Sequence, residues 1–162
     1  MISWAKFNIT PEQERRYHVV RVKASPGMNA ISESVVYDMS VLDSKSAALL
    51  TFISVAIAGL IFSLGLVDGQ APDARLIRGG IFVFLALFVY AAWIDLRCLH
   101  IIGPKILSAE SDGDDYESIS IAELSRRRNK YSLALFLCET GFMLLGPFLM
   151  LWILVTYRVI SI

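Results

Sequence analysis

Cysteine and histidine are scarce in this chain, and their scarcity excludes two classes of protein. Two cysteines, Cys98 and Cys138, are too few for a disulfide framework, and Cys138 lies in an apolar segment where we expect a packed thiol. Cys98 and His100 offer a single pair of metal ligands, and the other histidine, His18, is distant in sequence. We therefore expect neither a disulfide scaffold nor a metal site.

Catalytic motifs are missing as well. The sequence has no phosphate-binding glycine loop, no nucleophile elbow and no zinc-binding helix motif. Fifteen acidic residues balance fifteen basic residues, so the net charge points to neither nucleic acid nor anionic lipid. We expect a protein that is not an enzyme and that binds neither a cofactor nor nucleic acid.

Long apolar runs, in contrast, are abundant. Hydrophobic residues make up 56% of the 162 residues, and the mean hydropathy is +0.58. From Ala47 to Val67 the chain has 21 residues without a charge, enough to cross about 30 Å of hydrocarbon. Two more segments, 77–98 and 131–157, are long and apolar enough to do the same. The sequence predicts an all-α integral membrane protein with three transmembrane helices and a small helical cytoplasmic layer.

The basic residues are distributed unevenly along the chain. The segment before the first span and the connection 99–130, with Arg97, carry twelve of the fifteen lysines and arginines. Because cytoplasmic loops are enriched in these residues, we expect a bacterial inner-membrane protein with its N-terminus inside and its C-terminus outside. Because Lys6 interrupts the early apolar residues, we expect no signal peptide there and expect the first span to act as its own insertion signal.

The flanking segments have helical patterns of their own. Thr10, Pro11 and Gln13 form a capping-box pattern that predicts a short helix to about Lys23, within an N-terminal unit 1–28. In the membrane domain 29–162, a helical pattern from Asn29 runs into the first span, and another precedes the third span. Residues 108–117 are acidic and weakly apolar, which predicts a mobile loop.

Packing between the spans is expected to follow from their connections and small residues. The short connection after Val67 predicts that the first two spans form an antiparallel hairpin. Pro147 removes a backbone hydrogen bond, so we expect a kink in the third span. Small residues that permit close helix approach are Ser54, Ala58, Gly59, Ser63, Gly141 and Gly146, with Gly79 and Gly80 at the start of the second span.

Charged residues concentrate at the predicted cytoplasmic boundary. They are either a belt of snorkelling side chains or a defined ion-pair network that couples the cytoplasmic layer to the spans. The network interpretation predicts that Asp43→Ala and Lys45→Ala each change assembly or toxicity without affecting insertion. The residues concerned are Asp38, Asp43, Lys45, Asp95, Arg97, Arg126, Arg127 and Arg128.

Glu139 is the one acidic residue well inside a predicted span. An ionised carboxylate in hydrocarbon costs at least ~2.5 kcal/mol, so the group must be protonated, paired or hydrated. It either belongs to an ion path or a contact between protomers, or is a protonated carboxyl that fixes helix packing. The sequence alone leaves both open.

The segment Asp43-Ser-Lys45-Ser-Ala47 at the start of the first span resembles a motif of the small membrane effectors of bacterial Pycsar anti-phage systems. The acidic loop and the arginine-containing helix before the last span are similar to that family too, over about residues 30–157. The resemblance implies a protein that impairs the membrane after a cyclic pyrimidine nucleotide signal. Since the chain has no room for a separate nucleotide-binding β-roll, the signal would reach the cytoplasmic helices or a partner.

Two functions therefore remain open from the sequence. The first is a membrane effector that forms homo-oligomers and disturbs the lipid bilayer, with a cyclic nucleotide as a possible ligand. The second is a structural or accessory subunit that packs against larger membrane proteins and has no activity alone.

Overall fold

The computed structural model describes residues 9–25, 27, 30–67, 74–99 and 113–156. Within these ranges the chain is helical and contains no strand, which confirms the all-α prediction. The helices are α1 (Pro11–Ala24), α2 (Ile31–Leu66), α3 (Ala74–Leu96) and α4 (Gly113–Thr156).

Helix α1 begins as its sequence predicts. The Thr10 hydroxyl accepts a hydrogen bond from the Gln13 backbone N–H at 3.3 Å, and the Gln13 side chain accepts one from the Thr10 N–H at 3.1 Å. Pro11 occupies the first helical turn, where its missing N–H costs nothing. The capping box therefore fixes where α1 starts.

Three helices, α2, α3 and α4, are long and apolar enough to cross a membrane. Helix α2 has 36 residues, α3 has 23 and α4 has 44. The chain is thus a multi-pass membrane protein, and the predicted spans 47–67, 77–98 and 131–157 fall largely within these helices. Helices α2 and α4 are longer than a span, because each begins with a polar part that precedes its apolar part.

The three helices pack side by side in alternating directions. Ser46, just before the apolar part of α2, contacts Asp95 at the end of α3, while Arg78 near the start of α3 donates to the carbonyl of Val67, just after α2, at 3.1 Å. These contacts at opposite ends confirm the antiparallel hairpin. Helix α4 packs against both, and the shared core is fully buried at Ile53, Ile81, Phe88, Ala91 and Ala134.

Two glycines allow α3 and α4 to approach closely. A Cβ atom on Gly141 would lie 2.7 Å from Leu87 Cδ2 and 3.0 Å from Phe88 Cζ, and one on Gly80 would overlap the Phe148 ring. Gly59 and Gly146, by contrast, have no neighbouring atom within 4 Å of that position. Of the small residues singled out in the sequence, Gly80 and Gly141 thus serve packing within the chain.

Below the apolar bundle lies a second group of helices that we call the polar layer: α1, residues 31–46 of α2 and residues 116–130 of α4. Its apolar core is small and consists of Val35, Leu42, Ile121 and Leu124, together with Cys98 from the turn after α3. Because α2 and α4 pass through it without a break, the polar layer and the bundle share two continuous helices. This confirms the prediction that the first and the third span each continue from a helix that precedes them.

The start of α4 differs from the prediction. The prediction of a mobile loop over residues 108–117 is wrong for residues 113–117, which belong to α4. Acidic residues favour the first turn of a helix because they interact with its positive end, and the sequence GDDYE supplies three of them. Residues 108–112 lie outside the described ranges, as does His100 of the Cys98–His100 pair.

Pro147 lies inside α4, which continues beyond it to Thr156. The loss of one backbone hydrogen bond therefore does not end the helix. The kink expected at this residue stays a prediction.

Candidate functional site in the polar layer

Helix α1 is held to the rest of the chain mainly by polar contacts. Its two buried residues are Glu14 and His18, with side chains 1% and 0% exposed, whereas Tyr17 and Val20 are exposed. The preceding residue, Ile9, accepts hydrogen bonds from Ser125 and Asn129 of α4 through its carbonyl. Since so little apolar surface of α1 is buried, its position depends on charges and hydrogen bonds.

Glu14 and His18 belong to a set that we call the buried charge cluster. The cluster contains residues from three helices, which are Glu14, His18 and Arg21 of α1, Ser34 and Asp38 of α2, and Arg128 of α4.

Arg128 joins the three helices. Its Nη1 lies 3.0 Å from Glu14 Oε1 and 3.2 Å from Oε2, and its Nη2 donates to Asp38 Oδ2 at 3.1 Å. The other Asp38 oxygen accepts a hydrogen bond from Arg21, and this bond raises the pKa of the Arg21 guanidinium above its usual value. Arg21 therefore stays charged at physiological pH, and the two carboxylates of the cluster face two guanidinium groups.

His18 has one ring nitrogen in a hydrogen bond and one without. Nδ1 lies 2.8 Å from Ser34 Oγ. Nε2 lies 3.3 Å from Glu14 Oε1, but both atoms are buried and neither has a well-directed hydrogen bond to any described residue. Glu14 Oε1 is compensated by the Arg128 guanidinium at 3.0 Å, so His18 Nε2 is the buried polar atom that lacks the contact that normally compensates burial.

A second ion pair connects the polar-layer part of α2 to α4. Arg127 Nη1 lies 3.7 Å from Asp43 Oδ1, and its Nε donates to Glu123 Oε1 at 3.1 Å. The Arg127 side chain is only 7% exposed, and its carbonyl accepts a hydrogen bond from Cys98 Sγ at 3.2 Å. Asp43 contacts a different helix from the one it belongs to, as the sequence interpretation required.

The remaining boundary residues lie apart from these pairs. Asp95 is buried and accepts a hydrogen bond from Ser46 Oγ at 2.6 Å, while its Oδ2 has no partner among the described residues. The Arg97 guanidinium stacks 3.8 Å from the centre of the Trp93 ring. Arg126 is exposed and 3.9 Å from Glu123, and the exposed Lys45 has no ion-pair partner in the described ranges.

The structure therefore brings together only part of the predicted network. Asp38 meets Arg128, and Asp43 meets Arg127. Lys45, Asp95, Arg97 and Arg126 lie outside these two pairs. The sequence interpretation missed Glu14 and His18, although residues 14, 18 and 21 follow the spacing of one helix face.

Glu139 lies on the surface of the apolar bundle. It lines a groove of about 490 Å³ between α2 and α4, together with Leu49, Phe52, Leu135, Cys138, Phe142 and Met143. Its side chain is exposed and has no hydrogen bond or ion pair with a described residue. If Glu139 were a protonated carboxyl that fixes helix packing, it would form a hydrogen bond within the chain. No such bond is found among the described residues.

Comparison of the chain with protein-family models, curated proteins and solved structures gives no match. The class of protein therefore follows from the fold alone. It is a multi-pass α-helical membrane protein with a helical polar layer.

Proposed function

We propose that this protein is a non-enzymatic membrane effector that responds to an event in its polar layer by impairing the bilayer. The observation that carries the proposal is the continuity of α2 and α4, which each run without a break from the buried charge cluster into the apolar bundle. Residues 31–46 and 116–130 extend roughly 24 Å and 22 Å along these helices. A change of tilt in the polar layer would therefore move the spans as rigid bodies.

Assembly of several copies is part of this proposal. Only 17%, 28% and 22% of the most apolar windows of α2, α3 and α4 are buried within the chain. The exposed carboxyl of Glu139 has no partner in the described chain, and an unpaired carboxyl facing hydrocarbon is costly. Contact with a second copy would shield it, and the open surface around Gly59 permits close approach of another helix.

We propose the bacterial inner membrane as the location, with the polar layer in the cytoplasm, because the basic residues concentrate in that layer. The resemblance to the Pycsar effectors supports a cyclic pyrimidine nucleotide as the source of the event. Either the polar layer or a partner protein would receive this signal.

An accessory subunit of a larger complex is the second candidate. The same low burial of the three windows favours it, since another membrane protein could cover this surface as well as lipid or a second copy. Such a subunit would be inert by itself.

Induced expression in bacteria tests the proposal. We expect the wild type to arrest growth and to dissipate the membrane potential, measured with a voltage-sensitive dye. Asp43→Ala removes a partner of the nearly buried Arg127 and should change this activity, because it leaves that charge less well compensated. The network interpretation of the sequence also predicts an effect of Lys45→Ala. Because Lys45 is exposed and has no ion-pair partner in the described ranges, we now use this variant as the matched control on the same helix.

Membrane abundance must be equal for the three proteins. Growth at the normal rate with an intact potential at high wild-type abundance would favour the accessory subunit. Equal activity of Asp43→Ala and wild type would favour the interpretation of the boundary charges as snorkelling side chains that do not couple the polar layer to the spans.

A further inference from the structure

We infer that the buried charge cluster contains a binding site for a divalent transition-metal cation of the Zn²⁺ class, with Glu14, His18 and Asp38 as its ligands. One ligand atom from each of these three residues lies within 4.8 Å of the others. Glu14 and His18 are almost completely buried, and the Asp38 side chain is 11% exposed. This site is unrelated to the Cys98–His100 pair considered from the sequence.

The geometry of His18 is the first argument for a cation. A histidine that ligates a metal commonly donates its other ring N–H to an oxygen, which fixes the tautomer. Ser34 Oγ, 2.8 Å from Nδ1, is placed to accept that bond. In this tautomer the lone pair of Nε2 faces Glu14 Oε1 at 3.3 Å, so two electron-rich atoms converge where a cation would hold both.

The alternative of a simple hydrogen bond fits less well. A proton on Nε2 would not point at Glu14 Oε1, since Nε2 has no well-directed hydrogen bond to any described residue, whereas Oε1 is paired with Arg128. Buried polar atoms without partners are uncommon and call for an explanation, of which a bound ion is one. Nε2 belongs to a fully buried side chain, and the nearby Glu14 side chain is only 1% exposed.

The distances also suit a small cation. Zn²⁺ binds histidine nitrogen and carboxylate oxygen at about 2.0–2.2 Å, which places tetrahedral ligand atoms ~3.3–3.6 Å apart. The His18–Glu14 pair already has this separation, at 3.3 Å. The Asp38 ligand atom lies within 4.8 Å of the other two, so it must approach them by at most about 1.5 Å. One imidazole with two carboxylates suits Zn²⁺ and its neighbours better than Mg²⁺ or Ca²⁺, which prefer oxygen ligands alone.

A cation at this site must compete with Arg128. The guanidinium lies 3.0 Å from Glu14 Oε1 and 3.1 Å from Asp38 Oδ2, so it uses the same carboxylates. Its side chain is 28% exposed and belongs to α4, whereas Arg21 holds the other Asp38 oxygen from within α1. Metal binding would therefore exchange a contact between α1 and α4 for contacts that join α1 to α2.

Zn²⁺ titration of the full-length protein in detergent, after treatment with a chelator, tests this inference. Competition with a chromophoric chelator should report one saturable site per chain. His18→Gln and Asp38→Asn should each lower the affinity by at least about 10-fold, since each removes a ligand. Glu12→Gln, an exposed acid on the same helix, is the matched control and should leave the affinity unchanged.

Two further variants separate a metal site from a purely structural cluster. Arg128→Gln should raise the affinity for Zn²⁺, and Zn²⁺ should raise its melting temperature more than that of the wild type, because the competing guanidinium is gone. Ser34→Ala keeps every charge and every ligand and should lower the affinity by about 10-fold. Ser34→Ala therefore still tests the metal site if His18→Gln or Asp38→Asn lowers the affinity only by detaching α1.

Absence of saturable Zn²⁺ binding would overturn the inference. So would binding that His18→Gln, Asp38→Asn and Ser34→Ala all leave unchanged, since the ion would then lie elsewhere. These results concern binding alone, so they are independent of whether the protein impairs membranes.

Discussion

Replacing Arg128 by alanine should release α1 from the rest of the molecule without unfolding the apolar bundle. The substitution removes the guanidinium that contacts both Glu14 and Asp38, whose side chains are 1% and 11% exposed. Loss of one partner of a buried ion pair costs about 3–5 kcal/mol because the other charge is left uncompensated. Arg21 still compensates Asp38, and Arg128 is itself 28% exposed, so we expect about 2–3 kcal/mol.

This cost should appear as local opening of α1. At about 1.4 kcal/mol for each factor of ten, 2–3 kcal/mol raises the opened population roughly 30- to 140-fold. Hydrogen exchange measured by mass spectrometry should show faster exchange of the α1 amides. The amides of α3 should keep their protection, because no residue of α3 belongs to the buried charge cluster and its core residues Ile81 and Phe88 are buried in the bundle.

Arg126→Ala is the matched control for this experiment. Arg126 is two residues away on the same helix, is 67% exposed and lies 3.9 Å from its nearest acid. An exposed pair of this kind contributes at most about 1 kcal/mol. Equal exchange of α1 in Arg126→Ala and Arg128→Ala would refute the argument that the buried charge cluster holds α1 in place.

Three further substitutions test other parts of the account. Gly141→Ala places a methyl group against Leu87 and Phe88 and should destabilise the bundle by about 1–3 kcal/mol, whereas Gly146→Ala meets no atom and should be neutral or stabilising in thermal unfolding. Ser46→Ala removes the hydrogen bond to buried Asp95 and should cost about 1–3 kcal/mol, while Ser44→Ala, on the exposed face, should stay within about 0.5 kcal/mol. Glu139→Gln should lower the oligomeric mass measured by light scattering in detergent, because it removes the exposed carboxyl that we place between copies. An unchanged oligomeric mass would show that the Glu139 carboxyl is not needed for contact between copies.

The three spans and the helices that precede them could be predicted because their signals are local. An uncharged run of 21 residues and a capping box at Thr10 each depend on neighbours in sequence. The start of α4 was predicted too late in the chain, since an acidic, weakly apolar segment has the composition of a loop as well as of a first helical turn.

The buried charge cluster could be predicted only in part. Asp38 and Arg128 were recognised as boundary charges, but their contact joins residues 90 positions apart, which no local pattern encodes. Glu14 and His18 lie on a short helix with many exposed charges, so their spacing on one helix face with Arg21 does not by itself show that this face is buried. The placement of α1 against α2 and α4 is what removes them from solvent.

Leakage of a dye from lipid vesicles that contain only the purified protein tests the central claim most directly. The account predicts that wild type releases the dye and that Arg128→Ala changes the rate of release, while Arg126→Ala behaves as wild type at equal protein content. Vesicles that retain the dye with wild-type protein, both with and without an added cyclic pyrimidine nucleotide, would contradict the proposal of a membrane effector. Identical rates for wild type and Arg128→Ala would contradict the claim that the polar layer controls the spans.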